Sequence, residues 1–362
     1  MTAKSDSTKK TRSGVSRRSL IKGGAAATAT IIAAPYVSST ARAKGKTIYI
    51  NTWGGSWGRA EAQAYYMPFE KATGITVKPI TPTSFAKLKA QVRTGHYEFS
   101  SAGMGRSDSI RALNANLLEH IHYNIIGLTD YPPDTIGFNG ISRHSISTNL
   151  VYNKKKFPNG GPQSWADFWN VEKFPGIRGA YKDVARMAPF ALLADGVPKD
   201  KLYPLDLDRA FKKLDQIKPH IKVWWKGGSQ SVQLVTDGEV DMMPMWNTRA
   251  GFAQENGVPL EVVWNESHMR RSNWIVARNA PNAPEAWQFA KFCMQAEPQG
   301  TFCRLMNTGP WNPEAYKYIP EAKARMMPTW KDNVPLAYSP DPVWVGTNLT
   351  AMTKRFNQWL VT

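Results

Sequence analysis

The chain has 362 residues, with 46 Lys and Arg against 28 Asp and Glu, a formal net charge of +18 and only two cysteines. That length exceeds what one hydrophobic core usually supports, so two lobes are expected. Two cysteines exclude a disulfide-dense scaffold and a cysteine-rich metal cluster.

The N-terminus has three parts. Residues 1–15 are polar and basic, and Ser16-Arg17-Arg18-Ser19-Leu20-Ile21-Lys22 follows. Gly23–Val37 is a weakly apolar stretch of mostly Ala, Gly and Thr, and Ala41-Arg42-Ala43 is a small-x-small cleavage pattern. Basic head, apolar middle and small-residue cut make an export signal, and the paired arginines make it a twin-arginine signal over 1–43. The apolar run is too short to span a bilayer, and no later stretch is long and apolar enough. The mature chain is expected to start near Lys44, in the periplasm. Residues 1–43 carry eight basic and one acidic side chain, which leaves the rest at +11. A basic surface attracts anionic partners. No Lys/Arg cluster is interleaved with aromatics as single-strand binding needs, so nucleic acid is not an expected partner.

Strand and helix then alternate over short connections. Thr47–Asn51 reads as a strand, Arg59–Thr73 as a helix closed by Gly74, and Ile75–Val77 as a strand. Ser84 opens a helix over Phe85–Arg93 that ends at Gly95. Tyr97–Ser100 reads as a third strand, followed by a helix over Ser107–Leu118. The middle repeats this grammar. Ser164 caps Trp165–Asn170, Ile177–Tyr181 is a strand, and Ala188–Asp195 is a helix. Asp208–Ile217 is an amphipathic helix with Asp206 and Asp208 at its start. Ile221–Trp225 is a strand, Ser229–Asp237 a helix and Val240–Met245 a strand. Ser145–Tyr152 and Asn273–Arg278 read as strands joining the lobes, and the chain beyond Pro284 as short helices. The pattern predicts an α/β protein with two parallel or mixed sheets flanked by helices. Cys293 and Cys303 fall on successive short helices, and spacing leaves open whether they pair.

Ligands of open α/β sheets sit beyond the carboxyl ends of the strands. Those positions hold Thr52-Trp53-Gly54-Gly55-Ser56-Trp57, then Ser101-Ala102-Gly103-Met104-Gly105-Arg106, then Trp246-Asn247-Thr248-Arg249. Glycines admit a ligand close to the backbone, and tryptophans offer flat walls for stacking. Trp53 and Trp246 are therefore the expected binding tryptophans, while Trp165, Trp169, Trp287 and Trp359 read as core. Catalytic patterns are missing: there is no Gly-x-Ser-x-Gly elbow, phosphate loop or dinucleotide fingerprint. His120-Ile121-His122 is the one close histidine pair, without a carboxylate or cysteine at ligand spacing. No enzyme activity, metal or cofactor is expected. A twin-arginine-exported oxidoreductase or metalloprotein is the alternative outside transport, and ferric-ion binding would need clustered tyrosines beyond Tyr65-Tyr66.

Asn51 and Trp53, then Phe69-Glu70 through Thr73-Gly74-Ile75-Thr76-Val77, resemble the bacterial extracellular solute-binding family of ABC importers, including spermidine/putrescine-binding proteins. Thr148–Asn153, Ser164–Trp169 with Phe174-Pro175-Gly176, Gly238–Asp241 through Trp246-Asn247, and Asn307-Thr308-Gly309 with Pro313 follow in the family's order. The resemblance implies a monomeric two-lobed protein that closes on a small molecule by hinge bending and passes it to a membrane permease. Its expected parts are 44–147 with 274–325 as lobe 1, 148–273 as lobe 2, and 326–362 as a helical segment on lobe 1 and the hinge. It also implies a site of Trp53, Gly54, Gly55, Ser56, Gly103, Met104, Asp183, Arg186, Trp246, Asn247, Arg270 and Ser272. Polyamine binders of the family use carboxylates where this chain has Gly55, Arg186 and Ser272, and an aromatic where it has Arg270. Only Asp183 is retained. The exchange favours a ligand with an anionic group, since arginine suits planar carboxylates. Asp183 is then expected to meet an amine, as in an amino acid, with polyamine binding as the alternative.

Overall fold

The computed structural model describes residues 47–127 and 134–362, so the expected signal at 1–43 lies outside the described residues. Nine strands are described: β1 (Thr47–Asn51), β2 (Thr76–Ile80), β3 (Ser101–Gly105), β4 (Ile136–Gly137), β5 (Gly140–Asn153), β6 (Arg178–Tyr181), β7 (Ile221–Trp225), β8 (Met242–Trp246) and β9 (Leu260–Val276). They form one sheet in the order β2-β1-β3-β9-β5-β8-β6-β7, with β4 on β5. β1 runs parallel to β2 and β3, and β6 runs parallel to β7 and β8. β9 is antiparallel to β3 and β5, and β5 is antiparallel to β8. The mixed α/β architecture is the one expected, but the two expected sheets are joined into one. The joining strands are much longer than Ser145–Tyr152 and Asn273–Arg278, and they hydrogen-bond to each other along their length. Register shifts at Ser142/His144 and Thr148/Leu150 bend this central pair.

Two hydrophobic clusters lie along that sheet. One gathers residues between Ile48 and Ile141 with Trp274–Met327. The other gathers Leu150–Val263 with Tyr338, Met352 and Phe356. The segment beyond 326, expected on the first lobe and hinge, reaches further. Its helix Pro342–Val361 buries Met352 and Phe356 in the second cluster, with Trp344, Trp359 and Leu360 packed beside them. Val345 and Gly346 sit on the other flank, where a Cβ on Gly346 would lie 2.8 Å from the Ser107 carbonyl.

Local signals explain several helix ends. The Ser84 hydroxyl accepts from Lys87 N at 3.2 Å, Ser164 from Asp167 N at 3.1 Å, and the Asp206 carboxylate from Arg209 N at 3.0 Å. Gly74 ends its helix at φ 71° and Gly95 at φ 74°. Trp165, Trp169 and Trp287 are buried, and Trp359 is half-buried against Phe356. Cys293 and Cys303 are both buried free thiols; burial pushes both up, Cys303 to about 12.

The third strand is displaced from its expected place. Tyr97–Ser100 precedes it, and Ser101–Gly105, expected as a loop, is the strand itself. Glycine is a poor strand former, but Gly103 has a packing reason to be there. An added Cβ would overlap the guanidinium of the fully buried Arg143 and approach Trp274 to 3.6 Å. Arg143 cannot yield easily, since it pairs with Glu61 and lies 3.9 Å over the Trp274 ring. Gly103→Ala should therefore destabilise the protein by about 1–3 kcal/mol. A denaturant midpoint equal to the parent's would contradict this packing.

Candidate functional site

β3 stops at Gly105, opposite Ser272 of β9. On the same side of β9, Tyr338 pairs with the strand further along, exchanging backbone hydrogen bonds with Ser267 and Met269 at 2.9 and 2.8 Å. Between these two neighbours Arg270 and Arg271 have no strand partner on that side, and a cavity of about 340 Å³ opens there. That volume suits a small organic molecule. Its walls come from the start of the Arg106–Asn114 helix, the start of the Val184–Ala194 helix, β9, and the start of the C-terminal helix. Both clusters and the crossover strand thus meet at one place.

The cavity is rich in arginine: Arg106, Arg186, Arg270 and Arg271 all line it, with Asp108 and Asp134 as the lining carboxylates. Arg186 pairs with Asp183 at 2.5 Å. Arg271 lies 3.9 Å from Asp134 and stacks over Trp311 at 3.8 Å. Arg106 and Arg270 make no ion pair among the described residues, and each keeps a buried Nε without a hydrogen-bond partner. Burial, and next the charge of Arg186, lowers Arg270 to about 10. Burial, and next Arg106, lowers Arg271 to about 10. Both remain cationic at neutral pH. His268 also lines the cavity, and burial drives its pKa well below the usual histidine value, so it is neutral. The Arg106 helix has no side-chain cap, so the first backbone N–H groups of its positive end are left without a side-chain acceptor where Gly105–Asp108 line the cavity.

Of the residues expected at the site, Arg186 and Arg270 are brought together on the cavity wall. Gly103, Met104 and Ser272 lie beside it in the β3–β9 pair, where the Ser272 hydroxyl donates to Met104 O at 3.0 Å. Asp183 is committed otherwise than expected. One carboxylate oxygen accepts from Ala185 N at 2.9 Å as a helix cap and the other pairs with Arg186, so it is not left for a ligand amine. The two expected tryptophans are not on the wall. Trp53 is 60% exposed on the turn after β1, and Trp246 packs its edge against Tyr181 and Trp225 at 5.6 and 5.7 Å. Gly54 and Gly55 have φ 77° and 58°, so a turn explains them better than ligand approach; Ser56, next to them, is exposed. Asn247 is buried and tied to the backbone, accepting from Ser147 N at 2.9 Å and donating to Asn307 O at 2.7 Å. Sequence reasoning put Arg106 at a strand end without giving it a binding role, and missed Arg271. Arg106 follows the β3 tip directly, a place where ligands of such sheets bind.

A second buried charge centre holds the first cluster together. Glu61, fully buried, accepts from Trp57 Nε1 at 2.9 Å and Tyr66 hydroxyl at 2.5 Å, and also from Thr52 and Arg143. Burial lowers Arg143 to about 9.

The chain compares closely with known binding proteins. A family model for bacterial extracellular solute-binding proteins matches residues 64–336. The γ-aminobutyric acid-binding protein of Pseudomonas aeruginosa is 32% identical over 89% of this chain and 93% of its own length. The spermidine/putrescine-binding periplasmic protein of Escherichia coli is 23% identical over 63% of this chain and 68% of its own. A solved ABC transporter substrate-binding protein from Bradyrhizobium japonicum superimposes with a TM-score of 0.83 at 32% identity, covering 86% of this chain and 99% of that one. Proteins of this kind bind a solute for transport and are not enzymes. No helix among the described residues is long and apolar enough to cross a membrane. The chain is a member of the bacterial extracellular solute-binding protein family, a substrate-binding component of an ABC transporter.

Proposed function

We propose that this protein captures a small anionic or zwitterionic, amino-acid-like solute in the periplasm and delivers it to the membrane permease of an importer. The observation that carries this is the presence of Arg186 and Arg270 on one cavity wall, with Arg270 unpaired among the described residues. A polyamine entering there would meet the unpaired guanidinium of Arg270, with Asp183 already committed to Arg186, a costly burial of like charge. A carboxylate would pair with both in the planar geometry arginine favours. The similarity to a γ-aminobutyric acid-binding protein supports an amino-acid-like guest. Asp108, on the cavity wall, replaces Asp183 as the carboxylate placed to meet an amine. The two lobes are 44–147 with 274–325 and 148–273, a division that the separate clusters around β1–β3 and β6–β8 support, and β5 and β9 serve as the hinge on which they close. Export uses the twin-arginine signal at 1–43 and its translocase, and the mature protein acts as a monomer.

A ligand that binds only the native state raises the melting temperature with the logarithm of its concentration relative to Kd, worth about 2.7 kcal/mol at 100 times Kd. In a melting screen, γ-aminobutyrate or related amino and organic acids are expected to raise the transition while putrescine and spermidine leave it unmoved. Shifts with polyamines alone would reject an anionic guest.

A further inference from the structure

We propose that the solute carries two anionic groups, one held by Arg186 and Arg270 and the other by Arg106 and Arg271. This rests on the anionic guest proposed above and specifies it further. Successive side chains of a strand point to opposite faces, so Arg270 and Arg271 leave β9 in opposite directions. The surroundings follow that division. On one face Arg270 has Arg186, Asp183, Tyr181 and Asp108 as its charged and polar neighbours, and its Nη1 would lie 3.2 Å from a Cβ on Gly105. On the other face Arg271 has Arg106 and Asp134, with Trp311 against its plane. Arg106 lies 4.9 Å from the ring of Phe138, which the turn joining β4 to β5 presents at φ 54°. All four guanidiniums still line the same cavity, because β3 ends where β9 would otherwise be covered.

Each pair has one positive charge in excess. Asp183 offsets Arg186 and leaves Arg270. Asp134, largely exposed and 3.9 Å from Arg271, offsets at most one of Arg271 and Arg106. Asp108 lines the cavity but makes its ion pair with Arg111, at 3.7 Å, and none with Arg270 or Arg106 among the described residues. Like charges gathered in a half-buried place destabilise the free protein unless an anion joins them. A single carboxylate satisfies one pair and leaves the other as it was.

The test is calorimetric titration of the mature protein with matched solutes: straight-chain dicarboxylates of four to six carbons against butyrate and γ-aminobutyrate. At least one dicarboxylate is expected to bind about 10-fold or more tightly than its monocarboxylate counterpart, the worth of one further charge-assisted contact. In R271Q and, independently, in R106Q that ratio should fall towards one. Equal affinity for one and two carboxylates in the parent protein, or a ratio unchanged in both variants, would overturn the second anion position while leaving an anionic guest intact. Binding of none of these carboxylates would instead reject the anionic guest itself.

Discussion

Arg270→Ala is expected to weaken binding of the anionic solute by about 100-fold, or about 3 kcal/mol, without weakening the fold. Arg270 supplies an unpaired cation on the cavity wall, held close to Arg186 by the register of β9 against β5 and β3. Its burial and the neighbouring guanidinium lower its pKa to about 10, which means that the folded, unliganded protein resists its charge. Removing it relieves that repulsion, so the melting temperature of the free protein should stay the same or rise. Opposite signs for binding and stability mark a residue kept for its ligand. Arg270→Lys should recover part of the loss, because an ammonium keeps the charge but not the planar fork. Titration calorimetry reads the affinity and thermal melting the stability. An Ala variant that melts lower and binds normally would assign Arg270 to the fold.

Glu61→Ala is expected to cost about 3–5 kcal/mol of stability, the range for breaking a buried ion pair from one side. Glu61 collects the hydroxyls of Thr52 and Tyr66, the indole N–H of Trp57 and the guanidinium of Arg143 in one buried centre. Arg143 is then covered by Trp274, so its charge has no route to water once the carboxylate is gone. That loss is a large share of a typical domain's total of about 5–15 kcal/mol. Glu61→Gln should be milder, since its oxygen still accepts from two of the donors. Chemical denaturation gives the numbers. A loss below about 1 kcal/mol for the Ala variant would mean that solvent reaches Arg143.

The sequence displays its local rules openly and its long-range ones hardly at all. Ser84, Ser164 and Asp206 are readable as caps because each acts on a backbone N–H three residues away. Ile221–Trp225 is readable because β-branched and aromatic residues cluster in it. Ser101–Gly105 is not, because what makes Gly103 necessary is Arg143, forty positions later. β9 is longer than its apolar end suggests, since its polar stretch Ser267–Arg271 is stabilised by pairing with β5 and Tyr338 rather than by its own composition. At the site, Arg186 and Arg270 stand out as exchanges of charge against a familiar pattern. Asp183 looks like a ligand group until its two oxygens are seen to be engaged. Trp53 and Trp246 fall at strand ends as ligand-binding tryptophans do, yet neither lines the cavity. Arg106 is placed at a strand end by the sequence, but its partnership with Arg271 becomes visible only when the end of β3 exposes both faces of β9.

The most direct test of the anion-binding cavity is a crystal structure of the mature protein with the solute it retains on purification. An acidic group of that solute seated between the guanidiniums of Arg186 and Arg270 is the expected result. A solute stacked on Trp53 or Trp246 instead, with both arginines untouched, would contradict it.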